Sequence, residues 1–120
     1  MTYAEIKNAL DLIQDPVEKL EFVMDIGKTL VDVPDGAQCN EILGCSSFVK
    51  ICVLDGKFYG YADSAMVRGI VAIFLAMVEG KSIVEIKNMN LADEFNSLNL
   101  NFGAGRLNGI QSMIGFFKNL

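Results

Sequence analysis

The chain has 120 residues and is 52% apolar, a size and composition typical of one folded domain with a sizeable core. Its formal net charge is −5, and no stretch concentrates Lys or Arg, which argues against nucleic acid or an anionic membrane surface as a partner. The absence of histidine excludes Ser-His and Cys-His nucleophile pairs and histidine-ligated metal sites. We therefore predict a single domain over residues 1–120.

Two helices are predicted at the start of the chain, over 3–13 and 16–29. Apolar residues recur there at spacings of three and four, as on the buried face of a helix. Asp15 and Pro16 suit the N-cap and the first turn of the second helix. Pro34, Asp35 and Gly36 break the helical pattern within residues 31–38, so we expect a loop there that leads to the first cysteine.

Nothing in the sequence predicts export or membrane insertion. Charged and amide side chains interrupt the apolar residues of the first 14 positions, unlike the continuous apolar core of a secretory signal. The longest apolar run, from Ile70 to Val78, is far shorter than the roughly 20 residues that span a bilayer. We expect a cytoplasmic protein with no membrane contact.

The middle of the chain has the pattern of a small antiparallel sheet. Residues 47–54 alternate between two faces, with Val49, Ile51 and Val53 on one of them. Asp55-Gly56 follows and predicts a hairpin turn, because both positions tolerate positive φ. An extended segment around 40–43 is predicted to add a third strand.

The remainder of the chain is predicted to be helical. Asp63 is a candidate N-cap for a helix over 64–78, whose nearly uniform apolar composition indicates burial against the sheet. Ser82, with a glutamate three residues later, forms a capping box that opens a short helix. Further helices are expected over 91–98 and from Leu107. The fold class is therefore α+β, a small antiparallel sheet flanked by helices.

The chain has three cysteines, an odd number that argues against a disulfide framework and predicts reduced thiols. Cys45 lies between Gly44 and two serines, where a loop should lead into the long strand, so it is the candidate reactive thiol. The alternative is that Cys45 is a small buried core residue.

The other candidates have simpler interpretations. Cys52 lies within a strand and is expected to pack in the core. Cys39 is separated from Cys45 by five residues, so it fits neither a thioredoxin-like pair nor a zinc knuckle, and it is either a tolerated loop cysteine or a resolving or regulatory thiol. Arg106 stands beside glycines at the start of the last helix, where it could approach a thiolate or a partner carboxylate, or remain a solvated charge.

Three segments in this order resemble the SufE family, which includes the CsdE branch, along nearly the whole chain. Gly44-Cys45-Ser46-Ser47-Phe48-Val49 is similar to the family's glycine-cysteine segment ahead of a strand. Residues 63–72 resemble its helix that begins at an acidic cap and contains a basic-glycine-aliphatic sequence. Arg106-Leu107-Asn108-Gly109-Ile110 resembles the arginine-containing start of its last helix.

The resemblance implies a fold and a role. It implies a SufE/IscU-like α+β domain in which Cys45 accepts persulfide sulfur from a SufS/CsdA-like, pyridoxal-phosphate-dependent cysteine desulfurase. The sulfur then passes to a downstream iron-sulfur scaffold, and the chain activates its partner without independent turnover or a cofactor or metal of its own. Gly44, Asp63, Arg106 and Lys50 are expected to support the site or to contact the partner. The resemblance also implies a shielded Cys45 loop that moves outward on docking.

The sequence departs from the family pattern beside the cysteine. Lys50 stands where the family commonly has tryptophan, and Phe48 stands where a polar residue is often found, so the choice of partner is expected to differ. Two other functions were weighed. An IscU-like cluster scaffold uses three cysteines, an aspartate and a histidine, whereas this chain has no histidine. A non-catalytic interaction domain would hold all three cysteines as structural residues.

Overall fold

Two helices begin the chain in the computed structural model, which describes residues 1–120. Helix α1 spans Tyr3–Leu12, and helix α2 spans Pro16–Gly27. A capping box between Thr2 and Glu5 starts α1, and the Asp15 side chain accepts the Val17 N–H at the start of α2. Both predicted helices are confirmed, and each ends one or two residues earlier than expected.

A three-stranded antiparallel sheet follows, with the strands in chain order. Its strands are β1 (Gln38–Glu41), β2 (Val49–Leu54) and β3 (Lys57–Ala62). Asp55 and Gly56 join β2 to β3 with φ values of 52° and 77°, so the predicted hairpin turn is confirmed. The third strand is confirmed as well, although it begins two residues before the predicted segment.

Helix α3 (Ala65–Val78) packs against strand β3 and against helices α1 and α2. The prediction that Asp63 caps this helix is wrong. The Asp63 N–H donates to the Phe48 carbonyl at the end of the β-ladder, and its carboxylate accepts the Tyr61 hydroxyl at 2.7 Å. The cap is Ser64, whose hydroxyl accepts the Val67 N–H, because this residue is the first one beyond the ladder.

The C-terminal part is helical, as predicted. It contains α4 (Ile83–Asn88), α5 (Leu91–Asn96) and α6 (Leu107–Lys118), with one short 3₁₀ turn, Ala104–Arg106, directly before α6. The predicted capping box opens α4, with the Ser82 hydroxyl accepting the Glu85 N–H.

One core connects the helices to the inner face of the sheet. Phe74 of α3 stacks on Phe95 of α5 with ring centroids 4.9 Å apart, and the Phe117 ring of α6 lies 6.3 Å from Phe74. Helices α2 and α3 pack closely, because Gly69 leaves its backbone in direct contact with Val23. The α+β class is confirmed, and none of the helices is both long and apolar enough to cross a bilayer.

Candidate functional site

Cys45 lies in the loop that joins β1 to β2. The Ile42 N–H donates to the Val49 carbonyl at 2.8 Å and closes this loop at its base. The side chain is partly buried, and Cys45 is the one cysteine of the chain that is not in a disulfide. The loop therefore presents a single free thiol between two strands that are held by the ladder.

The floor beneath Cys45 is the first turn of α6. The Sγ atom packs directly on the Gly109 backbone, where an added methyl group would come within 2.6 Å of it. Gly44 has φ +89°, a conformation that disfavours other residues, and a methyl group there would meet the Ser112 hydroxyl at 3.0 Å. Two glycines thus allow the cysteine loop to lie against the helix.

A small cavity of about 20 Å³ adjoins the thiol. This volume is similar to the roughly 10–15 Å³ that a single water needs. The cavity has apolar walls from α3 and α6, and Arg106 is the one charged residue in its lining. Its lining consists of Cys45, Ser46, Val67, Ile70, Gly105, Arg106, Gly109, Ile110 and Met113.

Burial raises the pKa of the Cys45 thiol above its ordinary value. Removal from water disfavours the charged thiolate, and Arg106 makes no salt bridge in the free protein. The thiol in this position is therefore mostly protonated at neutral pH and is a weak nucleophile.

Ser47 is a feature of this loop that the sequence alone did not identify. Its hydroxyl is buried and has no hydrogen-bond partner. A buried, unpaired hydroxyl costs about 1–3 kcal/mol, so this conformation of the loop carries a cost at Ser47. No local pattern marks this residue, because its burial depends on the packing of the whole loop.

The predicted supporting residues are divided between two places. Gly44 and Arg106 lie beside Cys45, as described above. Lys50 is on β2 across from Tyr61 of β3, and Asp63 accepts a hydrogen bond from that tyrosine. Neither Lys50 nor Asp63 lines the cysteine cavity. Tyr61 is thus the shared neighbour of Lys50 and Asp63.

The expectation that all three cysteines are reduced is wrong. Cys39 and Cys52 form a disulfide across β1 and β2, with their Cα atoms 4.0 Å apart. The ladder bonds alternate from the Ile42–Val49 pair, so Cys39 and Cys52 form a pair without ladder hydrogen bonds, where opposing Cα atoms are closest. The predicted packing role of Cys52 is confirmed, because its side chain is fully buried, but it is also covalently bonded to Cys39.

No group of three or more cysteine or carboxylate side chains is arranged to hold a metal ion. The site therefore consists of one thiol, a small apolar cavity and one arginine. This arrangement can receive a single atom on the thiol and shield it from water.

The comparisons with known proteins agree on one family. A family model described as SufE, Fe-S metabolism associated domain, matches residues 4–120. An uncharacterized SufE-like protein of Rhizobium meliloti (strain 1021) is 32% identical over 85% of this chain and 81% of that protein. The sulfur acceptor protein CsdE of Escherichia coli (strain K12) is 29% identical over 94% and 83%. The cysteine desulfuration protein SufE of Wigglesworthia glossinidia brevipalpis is 28% identical over 84% and 76%.

Proposed function

Because this chain belongs to the SufE family, we propose that it accepts sulfur as a persulfide on Cys45. The donor is a pyridoxal-phosphate-dependent cysteine desulfurase, and the recipient is an iron-sulfur scaffold. The observation that carries the proposal is the single free thiol, held in a loop above α6 and next to a cavity for about one atom. The names of the two relatives CsdE and SufE support the same role.

The transfer is a thiol-persulfide exchange. The Cys45 thiolate attacks the outer sulfur of the desulfurase persulfide, and the sulfur-sulfur bond of that persulfide breaks. The desulfurase cysteine leaves as a thiolate, and Cys45 carries the outer sulfur. The proton lost from Cys45 can pass to the departing thiolate, so no net oxidation occurs and no co-reactant is required.

The free and docked forms have different tasks. In the free protein, burial keeps the Cys45 thiol protonated and shielded, which suppresses reactions with other electrophiles. On docking, the loop moves outward, the thiolate forms, and the two sulfurs are held in contact, so the transfer becomes effectively intramolecular. When the loop moves back after the transfer, the cavity beside Cys45 has room for the additional sulfur.

Mass measurement of sulfur loading tests the proposal. The protein is incubated with a cognate desulfurase and cysteine, and its intact mass should increase by about 32 Da, one sulfur. Cys45→Ser should abolish the gain, whereas the Cys39→Ser/Cys52→Ser double variant should retain it. A gain that persists on Cys45→Ser would contradict the assignment of the carrier. Unchanged desulfurase turnover in the presence of the wild-type protein would contradict the partnership.

The two other functions make different demands on the cysteines. A cluster scaffold needs several thiolate ligands, whereas two of the three cysteines are held in a disulfide. A purely structural role for Cys45 requires an unreactive thiol. Iodoacetamide should modify Cys45 of the native protein slowly at neutral pH and faster as the pH rises to 10, whereas a thiol that stays unmodified throughout this range would favour the structural role.

A further inference from the structure

Strand β3 is an edge of the sheet, and part of its backbone is free to bond. The Asp63 N–H donates to the Phe48 carbonyl, next to the end of β2. In an antiparallel ladder every second residue bonds to the neighbouring strand, so counting back from Asp63 the residues that bond to β2 are Tyr61, Tyr59 and Lys57. Ala62, Gly60 and Phe58 therefore direct their N–H and C=O groups away from β2. The Arg68 Nε donates to the Ala62 carbonyl at 2.7 Å from that outer side, which agrees with this alternation.

A groove runs along this edge. It consists of two cavities of about 510 and 350 Å³, both of which are lined by Leu30, Val31 and Gly60. Its far wall is the segment that follows α2, residues 28–33, and no backbone hydrogen bond joins that segment to β3. Gly60 is buried, so its unpaired outward N–H and C=O carry a cost that a bonding partner would remove.

The two ends of the groove differ in charge. The end beside Ala62 is lined by Lys28, Lys50 and Arg68, with Asp32 as the one carboxylate. Lys28 is paired with Asp25, whereas Lys50 and Arg68 make no salt bridge. The opposite end is lined by Lys57, by Met1 with its N-terminal ammonium group, and by the two carboxylates Asp55 and Glu79, so its charges balance. In a chain of net charge −5, the Lys50–Arg68 end is a local site for anionic groups.

We propose that this groove binds an extended segment of a partner protein, which adds to β3 as a fourth, antiparallel strand. The six residues of β3 present an edge of roughly 20 Å, which suits a chain segment better than a compact ligand. Backbone bonds to Phe58 and Gly60 supply affinity. Carboxylates at the N-terminal end of the segment, near Lys50 and Arg68, set its direction.

This docking surface is separate from the sulfur site. The groove and the Cys45 cavity have no lining residue in common. The inference therefore stands whether or not Cys45 carries sulfur, and its test requires neither desulfurase nor persulfide.

A pair of synthetic peptides tests the proposal on the full chain. The first is acetyl-Asp-Glu-Asp-Thr-Val-Thr-Val-Thr-Val with fluorescein at its C-terminus, and the second has the same residues in reversed order. Fluorescence anisotropy should show binding of the first peptide at least fivefold tighter than of the second, because the reversed peptide in the same strand direction places its carboxylates away from Lys50 and Arg68. Replacing its central Thr with Pro should weaken the first peptide at least tenfold, since proline cannot donate to a ladder.

Variants and amide exchange locate the binding. Lys50→Glu should weaken the first peptide at least fivefold, and Lys50→Gln should weaken it less, whereas Lys118→Glu, the same charge change at a distant exposed site, should stay within twofold. Hydrogen exchange of the Phe58 and Gly60 amides should slow at least tenfold at saturation. Equal binding of the forward, reversed and proline peptides would overturn the proposal. The proposal would also be overturned if these amides were protected without peptide while light scattering showed concentration-dependent dimerisation. That result would identify a second copy of the chain as the occupant.

Discussion

Substitution of Gly109 by alanine should displace Cys45 and increase its reactivity. The added methyl group would lie 2.6 Å from Sγ, whereas ordinary contacts begin at 3.4 Å, so the thiol must move by about 0.8 Å or more. The new methyl group would be fixed to the backbone of helix α6, whereas Cys45 is in a loop. We therefore expect the loop to move and the helix to stay in place. Outward movement rehydrates the thiol and lowers its pKa toward the ordinary value of about 8.5.

The size of the effect follows from thiolate chemistry. Each unit by which a thiol pKa falls increases the thiolate fraction about tenfold at neutral pH, and the weaker nucleophilicity of the thiolate reduces the gain in rate to about threefold. Greater exposure adds to this gain. Overpacking costs about 1–3 kcal/mol, and the better helix propensity of alanine returns about 0.5–1 kcal/mol, so Gly109→Ala should lower the free energy of unfolding by no more than about 2.5 kcal/mol.

The assay is the rate of reaction with iodoacetamide from pH 6 to 10, followed by intact mass, with unfolding in guanidinium chloride for stability. Gly115→Ala is the matched control, because it lies in the same helix and its added methyl group meets no atom within 4 Å. It should leave the Cys45 rate unchanged. Identical rates and pH profiles for the two variants would refute the inference that Gly109 is the floor of the site.

The raised pKa also predicts how stability depends on pH. The folded protein holds the Cys45 proton more tightly than the unfolded chain, so this contribution to stability is complete below the unfolded pKa of about 8.5 and is lost as pH rises through the folded pKa. Unfolding midpoints of the wild type should fall over that range more steeply than those of Cys45→Ser. Parallel curves for the two proteins would show that the burial of the thiol has no such effect.

Three further predictions concern other contacts. Reduction by a dithiol should open the Cys39–Cys52 disulfide and increase the mass by about 2 Da, and an unchanged mass would contradict the disulfide. Because the bond closes a 14-residue loop, its reduction should lower the free energy of unfolding by roughly 2–3 kcal/mol. Hydrogen bonds from Tyr3 and then Lys7 lower the pKa of Glu94, so its contribution to stability is present above the unfolded carboxyl pKa and is lost as pH falls through the folded value. Tyr3→Phe should raise the pKa of Glu94 in an NMR titration, and an unchanged Glu94 titration would exclude the hydrogen bond. Because the site is partly exposed, the substitution should lower the free energy of unfolding by only about 0.5–1 kcal/mol near pH 7. If Arg106 meets a desolvated carboxylate of the desulfurase, Arg106→Ala should weaken binding by about 2 kcal/mol in calorimetry at both low and high salt. Wild-type affinity at both salt concentrations would show that Arg106 is only a solvated charge.

Local chemistry made much of the fold predictable. The Ser82 capping box, the Asp15-Pro16 helix start and the Asp55-Gly56 turn each depend on neighbouring residues, and all of them occur as predicted. Strand β1 was less well defined, because all four of its residues are exposed and no alternation marks its ends. The two-residue error there placed Cys39 outside the strand, and the pairing with Cys52 could not be seen.

The candidate site depended more on tertiary contacts. The glycine-cysteine segment identified Cys45 as the candidate thiol, but its position above Gly109 joins residues 64 positions apart and has no local signal. Either Asp63 or Ser64 has a side chain that suits the N-cap of α3. The position where the β3 ladder ends decides between them, and a local sequence pattern does not reveal that position. The free edge of β3 likewise follows from the order of the strands.

The anchoring of the Cys45 loop limits how far the thiol can travel. The Ile42–Val49 bond closes the loop, and the disulfide joins the same two strands three residues farther back, so the anchor points are fixed. Cys45 is only three positions after Ile42, which gives a maximum reach of roughly 10 Å even when the chain between them is fully extended. Cys45 is therefore at the tip of a short tether. A donor cysteine recessed farther than this beneath its own surface would have to move outward to meet it.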